Sequence, residues 1–184
     1  MKQVCMVLTS YSDLYNGWII PNDLVYIDGV GKNWPDWVRG ELGMKVGTYT
    51  KFLKCPAERA TDVEGNYPER THYGINLYLS SSKALASVGY GKMRKTSVAQ
   101  IPSQVVLLSE NRNISTTTFV TSMTGMAFRH KNQNYKLATD PAYYPLSVMV
   151  NVGYLDGHVG SKPLFEIRTN ALSYTWMQSN FTYP

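Results

Sequence analysis

The sequence has few charged side chains and lacks the motifs on which several common enzyme classes depend. Asp, Glu, Lys and Arg make up 17% of its 184 residues, below the roughly 25% that is usual for soluble domains. It contains no G-x-S-x-G or H-E-x-x-H sequence, which carry nucleophilic or zinc-dependent catalysis. No glycine-rich loop stands between a predicted strand and a predicted helix, so no phosphate-binding loop is expected. We therefore expect a protein that is not an enzyme.

Cysteine and histidine are also scarce. Cys5 and Cys55 stand 50 positions apart without a C-x-x-C pair, so no structural zinc site is predicted. The spacing leaves open whether these two cysteines form a disulfide. The three histidines, His72, His130 and His158, follow no metal-ligand spacing. We predict neither a metal site nor another cofactor.

Long apolar runs and dense basic clusters are missing as well. No run reaches the 18 apolar residues of a membrane-spanning helix. The net charge is only +5, and the densest basic clusters are the short segments 92–95 and 129–131. A nucleic-acid-binding protein usually concentrates basic side chains on one face. Short clusters are typical of solvated loops, and we do not expect nucleic acid as a partner.

The first 16 residues carry apolar side chains at helical spacing. Val4, Leu8 and Tyr11 share one helix face, and Gly17 is a residue type that ends helices, so an amphipathic helix is predicted over residues 1–16. No Ser, Thr, Asp or Asn precedes this helix as an N-cap. An uncapped start is typical of the second half of a longer helix. We interpret residues 1–16 as the remainder of such a helix.

The rest of the chain predicts short strands separated by long loops. Pro35 suits a first helical turn, so a short helix is predicted from Asn33 to Leu42. Strands are predicted at 24–27, 49–53, 71–79, 104–108, 116–120 and 126–129, and a closing helix at 164–170. One helix followed by many strands predicts a single α+β domain over 1–184, with the N-terminal helix packed on an antiparallel sheet.

Two further segments stand out near the C-terminus. Asp156-Gly157 lies between two apolar runs, which predicts a β-hairpin with a type I′ turn. Residues 131–146 hold two prolines and three aromatic residues without a clear period, which is typical of an inserted loop.

The aromatic residues allow two interpretations. Trp18, Trp34, Trp37 and Tyr143-Tyr144 would suit a platform that stacks on sugar rings if they were exposed in a row. Aromatic side chains more often form core and interface, because they bury large areas. A surface glycan-binding module is therefore kept as the alternative function.

Four segments occur in an order that resembles a known family. They are Lys2-Gln3-Val4 with Tyr11, Asn16-Gly17 and Pro21; Phe52-Leu53-Lys54-Cys55-Pro56; Tyr73-Gly74-Ile75-Asn76; and Arg129-His130 followed by residues 151–159. Together they resemble the bacterial prepilin-like, or type II secretion pseudopilin-like, family with a C-terminal processing-associated motif. In that motif a histidine is followed about nine residues later by Asp-Gly. Here 25 residues separate His130 from Asp156, so the resemblance implies an insertion at 131–146.

The resemblance implies a structural role in the cell envelope. Family members begin with a basic leader and an apolar helix that anchors them in the inner membrane, and this segment is lacking here. The implied protein is the soluble, periplasmic or extracellular domain of an anchored pilin-like subunit, with a role in filament assembly, secretion or surface display. Its partners would be other pilin-like subunits or secretion-system components, bound through the N-terminal helix. The implied fold-defining residues are Cys55, Pro56, Tyr73, Asn76, His130, Asp156, Gly157 and His158.

Overall fold

The N-terminal helix is present as the sequence predicts. In the computed structural model, residues 1–22, 25–27, 30–45, 51–56, 71–76, 79–80, 94–111, 118–119, 149–163 and 166 are described. Helix α1 spans Lys2–Leu14, and no side chain caps its N-terminus. The chain leaves α1 through Asn16 and Gly17, which both have positive φ, at 52° and 80°. Glycine accepts this conformation without steric cost, which explains why the helix ends here.

A second short helix also confirms its sequence signals. Helix α2 spans Trp34–Glu41, with Asn33 as N-cap and Pro35 in the first turn. The Asn33 side chain accepts a hydrogen bond from the Asp36 backbone N–H at 3.1 Å. The guanidinium of the buried Arg39 donates to Asp36 Oδ1 at 2.8 Å, which pairs its charge within the same helix.

The strands form two sheets. Strands β1 (Val25–Ile27) and β2 (Val30–Lys32) make an antiparallel pair. The larger sheet has the order β5-β3-β4-β6-β7, and its strands are β3 (Tyr73–Asn76), β4 (Val106–Glu110), β5 (Thr118–Phe119), β6 (Met149–Tyr154) and β7 (Val159–Pro163). Strands β3, β4, β6 and β7 are antiparallel neighbours, which confirms the α+β prediction. The short strand β5 pairs in parallel with β3, so the sheet is mixed at this edge rather than wholly antiparallel.

Helix α1 packs on the larger sheet with its apolar face. Val4, Cys5, Leu8 and Tyr11 are buried on that face. Every residue of β3 and β4 is buried, so both faces of these central strands are covered. Burial of apolar surface stabilises this layer by about 25 cal/mol per Å².

Several boundaries differ from the sequence prediction. The strand predicted at 49–53 is wrong where it is described, because Lys51–Leu53 forms a 3₁₀ turn. Strand β4 begins two residues later than predicted, because Pro102–Gln104 forms a 3₁₀ turn ahead of it. The predicted strand 126–129, the loop 131–146 and all of the predicted helix 164–170 except Glu166 lie outside the described residues. None of the described helices has the length and apolarity required to span a bilayer.

The predicted hairpin is confirmed, but its predicted turn type is wrong. Strands β6 and β7 pair antiparallel up to Gly153 and Val159, and Tyr154 N–H donates to the His158 carbonyl at 2.9 Å. This leaves a three-residue loop, in which only Gly157 has positive φ, at 89°. A type I′ turn needs positive φ at two residues, whereas a three-residue loop needs it only at a glycine in third position.

Candidate functional site

Seven of the eight residues that the family resemblance singles out lie in the described structure, in two groups. Cys55, Tyr73 and Asn76 are buried beside the central strands, and Pro56 is exposed next to them. The second group is the turn of the β6–β7 hairpin, which holds Asp156, Gly157 and His158. His130 lies outside the described residues.

Cys55 lies in a buried polar cluster that the sequence did not reveal. Its backbone N–H donates to His72 Nδ1 at 3.1 Å, and its thiol lies 3.4 Å from Glu110 Oε1. The Asn151 side chain donates to the same carboxyl oxygen at 3.0 Å. Although thiol, imidazole and carboxyl groups are all found in catalytic sites, Cys55, His72 and Glu110 are each at most 2% exposed. These buried contacts hold the Cys55 segment against β4 and β6.

Tyr73 and Asn76 connect β3 to its surroundings. The Tyr73 hydroxyl donates to the Lys54 carbonyl at 3.1 Å, which joins the strand to the Cys55 segment. The Asn76 amide donates to the Val106 carbonyl on β4 at 2.8 Å. The Asn76 carbonyl accepts from the backbone and side chain of Ser80, both at 3.0 Å, and so closes the turn after β3. The Tyr73 hydroxyl and the Asn76 amide therefore both find hydrogen-bond partners within the fold, as buried polar groups usually do.

The hairpin turn is held by Asp156 and His158. Asp156 Oδ1 accepts from the His158 backbone N–H at 3.1 Å and lies 2.6 Å from His158 Nδ1. The imidazole stacks on the Tyr154 ring, with centroids 4.0 Å apart and planes at 10°. Both members of the Asp156–His158 pair are solvent-exposed, so water screens the pair and it contributes little to stability.

The same hairpin is fitted closely against α1. A Cβ atom on Gly153 would lie 2.0 Å from Cys5 Sγ, so only glycine leaves room for the sulfur. A Cβ atom on Gly157 would lie 3.2 Å from Thr9 Cγ2. The Leu155 N–H also donates to the Val105 carbonyl at 2.9 Å, which ties the loop to the residue before β4. Residues 151–158 of the hairpin therefore hold α1 against the sheet.

Cys5 is a packing residue, and both cysteines are free. Burial raises the pKa of the Cys5 thiol to about 12, which keeps it protonated at neutral pH. A protonated, buried thiol is a poor nucleophile and metal ligand. The sequence analysis missed the contact of Cys5 with Gly153, because no local pattern connects residues so far apart.

The tryptophans do not form one exposed row. Trp34 is completely buried, and Trp37 makes edge contacts with the rings of Tyr11 and Tyr15, at 5.1 and 5.6 Å between centroids. Trp18 is 37% exposed, with the Lys95 ammonium 5.1 Å from its ring centroid. Tyr143 and Tyr144 lie outside the described residues. Of the three tryptophans, Trp18 is the most exposed.

Metal binding and similarity to known proteins are two further indicators of function for the candidate site. Among these residues, no three His, Cys, Asp or Glu side chains converge on a position that could hold a metal ion. Comparison of the chain with protein-family models, with curated proteins and with solved structures finds no match. Any function therefore has to be argued from the sequence motifs and from this geometry.

Proposed function

We propose that the chain is the globular domain of a pilin-like or pseudopilin-like subunit of the bacterial cell envelope, with a pilin-like fold and no catalytic activity. The full subunit would be anchored in the inner membrane by a segment that continues α1 toward its N-terminus. The domain would lie in the periplasm or outside the cell. Its work would be filament assembly, secretion or surface display, together with other pilin-like subunits or secretion-system components.

One observation carries this proposal: the motif segment 151–158 packs on α1. Gly153 makes space for Cys5, and Gly157 approaches Thr9. A subunit that is assembled through its N-terminal helix has to hold its globular domain firmly on that helix. The resemblance therefore gains a physical reason, since the Asp-Gly hairpin fixes the helix to the sheet.

The outer face of α1 supports the same proposal. Met6 is 55% exposed and Leu14 is 69% exposed, although both are apolar. Isolated apolar side chains are common on protein surfaces, but on a helix that joins subunits they would supply packing area. The inner face is covered by β6, α2 and the turn at 51–53, so a partner has only the outer face to contact.

The first test is the sequence of about forty codons upstream of Met1 in the native gene. The proposal expects a basic leader and roughly twenty apolar residues, the length of a bilayer span, leading directly into Lys2. A cleavable secretory signal, or a true start at Met1, would remove the anchor and with it the proposed assembly role.

The second test is site-directed crosslinking of the full-length protein in cells. Met6→Cys and Leu14→Cys place thiols on the outer face of α1, and Ser161→Cys places one on the exposed part of β7 as the matched control. We expect membrane-associated, covalent oligomers from the two α1 variants and only monomer from Ser161→Cys. Equal crosslinking at all three positions, or none at α1, would contradict assembly through this helix.

A further inference from the structure

The end of α1 carries three exposed apolar or aromatic side chains beside a half-buried lysine, here called the Trp18 patch: Leu14, Tyr15, Trp18 and Lys95. Tyr15 is 42% exposed and Trp18 is 37% exposed. The Trp18 N–H donates to the Tyr15 carbonyl at 3.1 Å, so the two residues belong to one tight turn. Large aromatic side chains at the surface are characteristic of binding sites, because they offer much contact area for little conformational entropy.

The backbone and the neighbouring rings hold this patch in place. Residues 18 and 95 form an antiparallel bridge, flanked by hydrogen bonds from Ile19 N–H to the Arg94 carbonyl at 2.9 Å and from Thr96 N–H to the Gly17 carbonyl at 2.8 Å. The Tyr15 ring stacks on Tyr11, with centroids 4.4 Å apart. A ligand would therefore meet rings that are already positioned, which lowers the entropy cost of binding.

A positive charge lies beside the Trp18 ring. The Lys95 ammonium lies 5.1 Å from the Trp18 ring centroid, a cation–π contact. Within the described part of the chain, no carboxylate forms an ion pair with Lys95. The nearest acidic residue in sequence to Tyr15 is Asp13, which is exposed on α1. The whole chain is also positive, at +5.

From this geometry we propose that the Trp18 patch binds an acidic polysaccharide whose sugars are uronic acids. A uronic acid combines an apolar ring face, which stacks on an indole, with a carboxylate, which pairs with an ammonium beside that indole. Tyr15, one turn away, supplies a second exposed ring for a further sugar of the chain. The Lys95 side chain is flexible, so its ammonium can leave the ring face and follow the carboxylate.

Nucleic acid fits the patch less well. Its binding depends on several Lys and Arg side chains that neutralise successive phosphates, whereas this patch contributes one ammonium. The proposal does not depend on the envelope role, since any protein that meets such a polymer could carry this site.

The test is binding of polygalacturonate to the full chain, measured by isothermal titration calorimetry and by mobility in gels that contain the polymer. A neutral galactan and a single-stranded DNA of similar length are measured beside it. We expect polygalacturonate to bind more tightly than either. W18A should weaken this binding about tenfold or more, comparable with the loss of one aromatic stacking platform. W18F, which keeps a ring, should weaken it less.

Charge variants decide whether Lys95 acts locally. K95Q should weaken polygalacturonate binding several-fold, as expected for the loss of one cation beside a ring. K51Q is the matched control, because Lys51 lies 5.8 Å from the Phe52 ring in another cation–π contact outside the patch. K51Q should leave the affinity unchanged.

Three results would overturn the proposal. They are no binding of polygalacturonate by the wild-type chain, equal binding of DNA that W18A does not weaken, and an equal loss from K51Q and K95Q. The last two would show general attraction of polyanions to a positive protein. If W18A does not fold by circular dichroism, the comparison of W18F, K95Q and K51Q still decides the outcome.

Discussion

Replacing Gly153 by alanine tests whether the hairpin holds α1 through the Cys5 contact. The new Cβ would lie 2.0 Å from Cys5 Sγ, whereas atoms in favourable contact lie about 3.5–4.0 Å apart, an overlap of about 1.5 Å. Cys5 is completely buried, so its sulfur has no solvent-filled space to move into. Overpacking of a core usually costs about 1–3 kcal/mol, and we expect G153A to lie at the upper end, near 3 kcal/mol.

A second substitution should rescue the first. C5A removes the sulfur and by itself should cost about 1–2 kcal/mol through lost contacts and a small cavity. In the G153A/C5A double variant the new methyl group occupies the space that the sulfur vacates. The two changes should therefore be non-additive, with the double variant at least ~2 kcal/mol more stable than the sum of the single effects predicts.

Urea unfolding, followed by tryptophan fluorescence and circular dichroism, measures all three variants. G40A is the control, because a Cβ on Gly40 in α2 meets no atom within 4 Å. The same Gly-to-Ala change inside a helix should there stabilise the protein by about 0.5–1 kcal/mol. If the effects of G153A and C5A simply add, the Cys5–Gly153 contact is not what requires glycine, and the account of the hairpin is refuted.

Three further predictions concern the same layer of the fold. G157A should destabilise the chain by about 1–2 kcal/mol in urea unfolding, because it forces alanine to φ 89° and crowds Thr9; T9A should recover only the crowding part. N76A should cost about 2 kcal/mol, because the Val106 carbonyl loses its buried donor, and a loss under 0.5 kcal/mol would refute the assigned role. The folded-state pKa of Cys5 is raised from 9.0 to about 12, so its stabilising contribution is complete below pH 9 and is lost as pH rises toward 12. Wild type should therefore lose about 2 kcal/mol more than C5A between pH 8 and 10.5, and parallel pH profiles would contradict this.

Elements whose signals are local could be predicted from the sequence. Helix α1 follows from apolar spacing and from Asn16-Gly17, the two residues that accept positive φ at its end. Helix α2 follows from Pro35, which suits the first helical turn, and the structure adds Asn33 as its N-cap. The β6–β7 hairpin follows from Asp156-Gly157 between apolar runs. In each case the determining interaction lies within a few residues of the signal.

Predictions failed where tertiary contacts decide. The apolar residues of 49–53 suggested a strand, but Lys51–Leu53 forms a 3₁₀ turn in which Leu53 is buried. The Leu53 carbonyl accepts a hydrogen bond from the His72 backbone N–H at 2.8 Å. The predicted turn type of the hairpin was wrong, because the length of the loop depends on where β6 and β7 stop pairing. The strand predicted at 116–120 is present as β5, but its parallel direction was not predicted, because that direction is fixed by the pairing with β3.

Tertiary contacts that the sequence does not reveal also determine the candidate site. The resemblance drew attention to Asp156-Gly157, but the buried contact of this segment with α1 joins Gly153 to Cys5, a residue that no motif includes. Hydrogen bonds within the turn are exposed and weak, whereas the Gly153–Cys5 contact is buried and permits almost no change in volume. The hairpin therefore stabilises the packing of α1 mainly through the space that Gly153 leaves for the Cys5 sulfur. The exposed Asp156–His158 contact contributes less. A helix held in this way fits the proposed function, in which the subunit would assemble through its N-terminal helix.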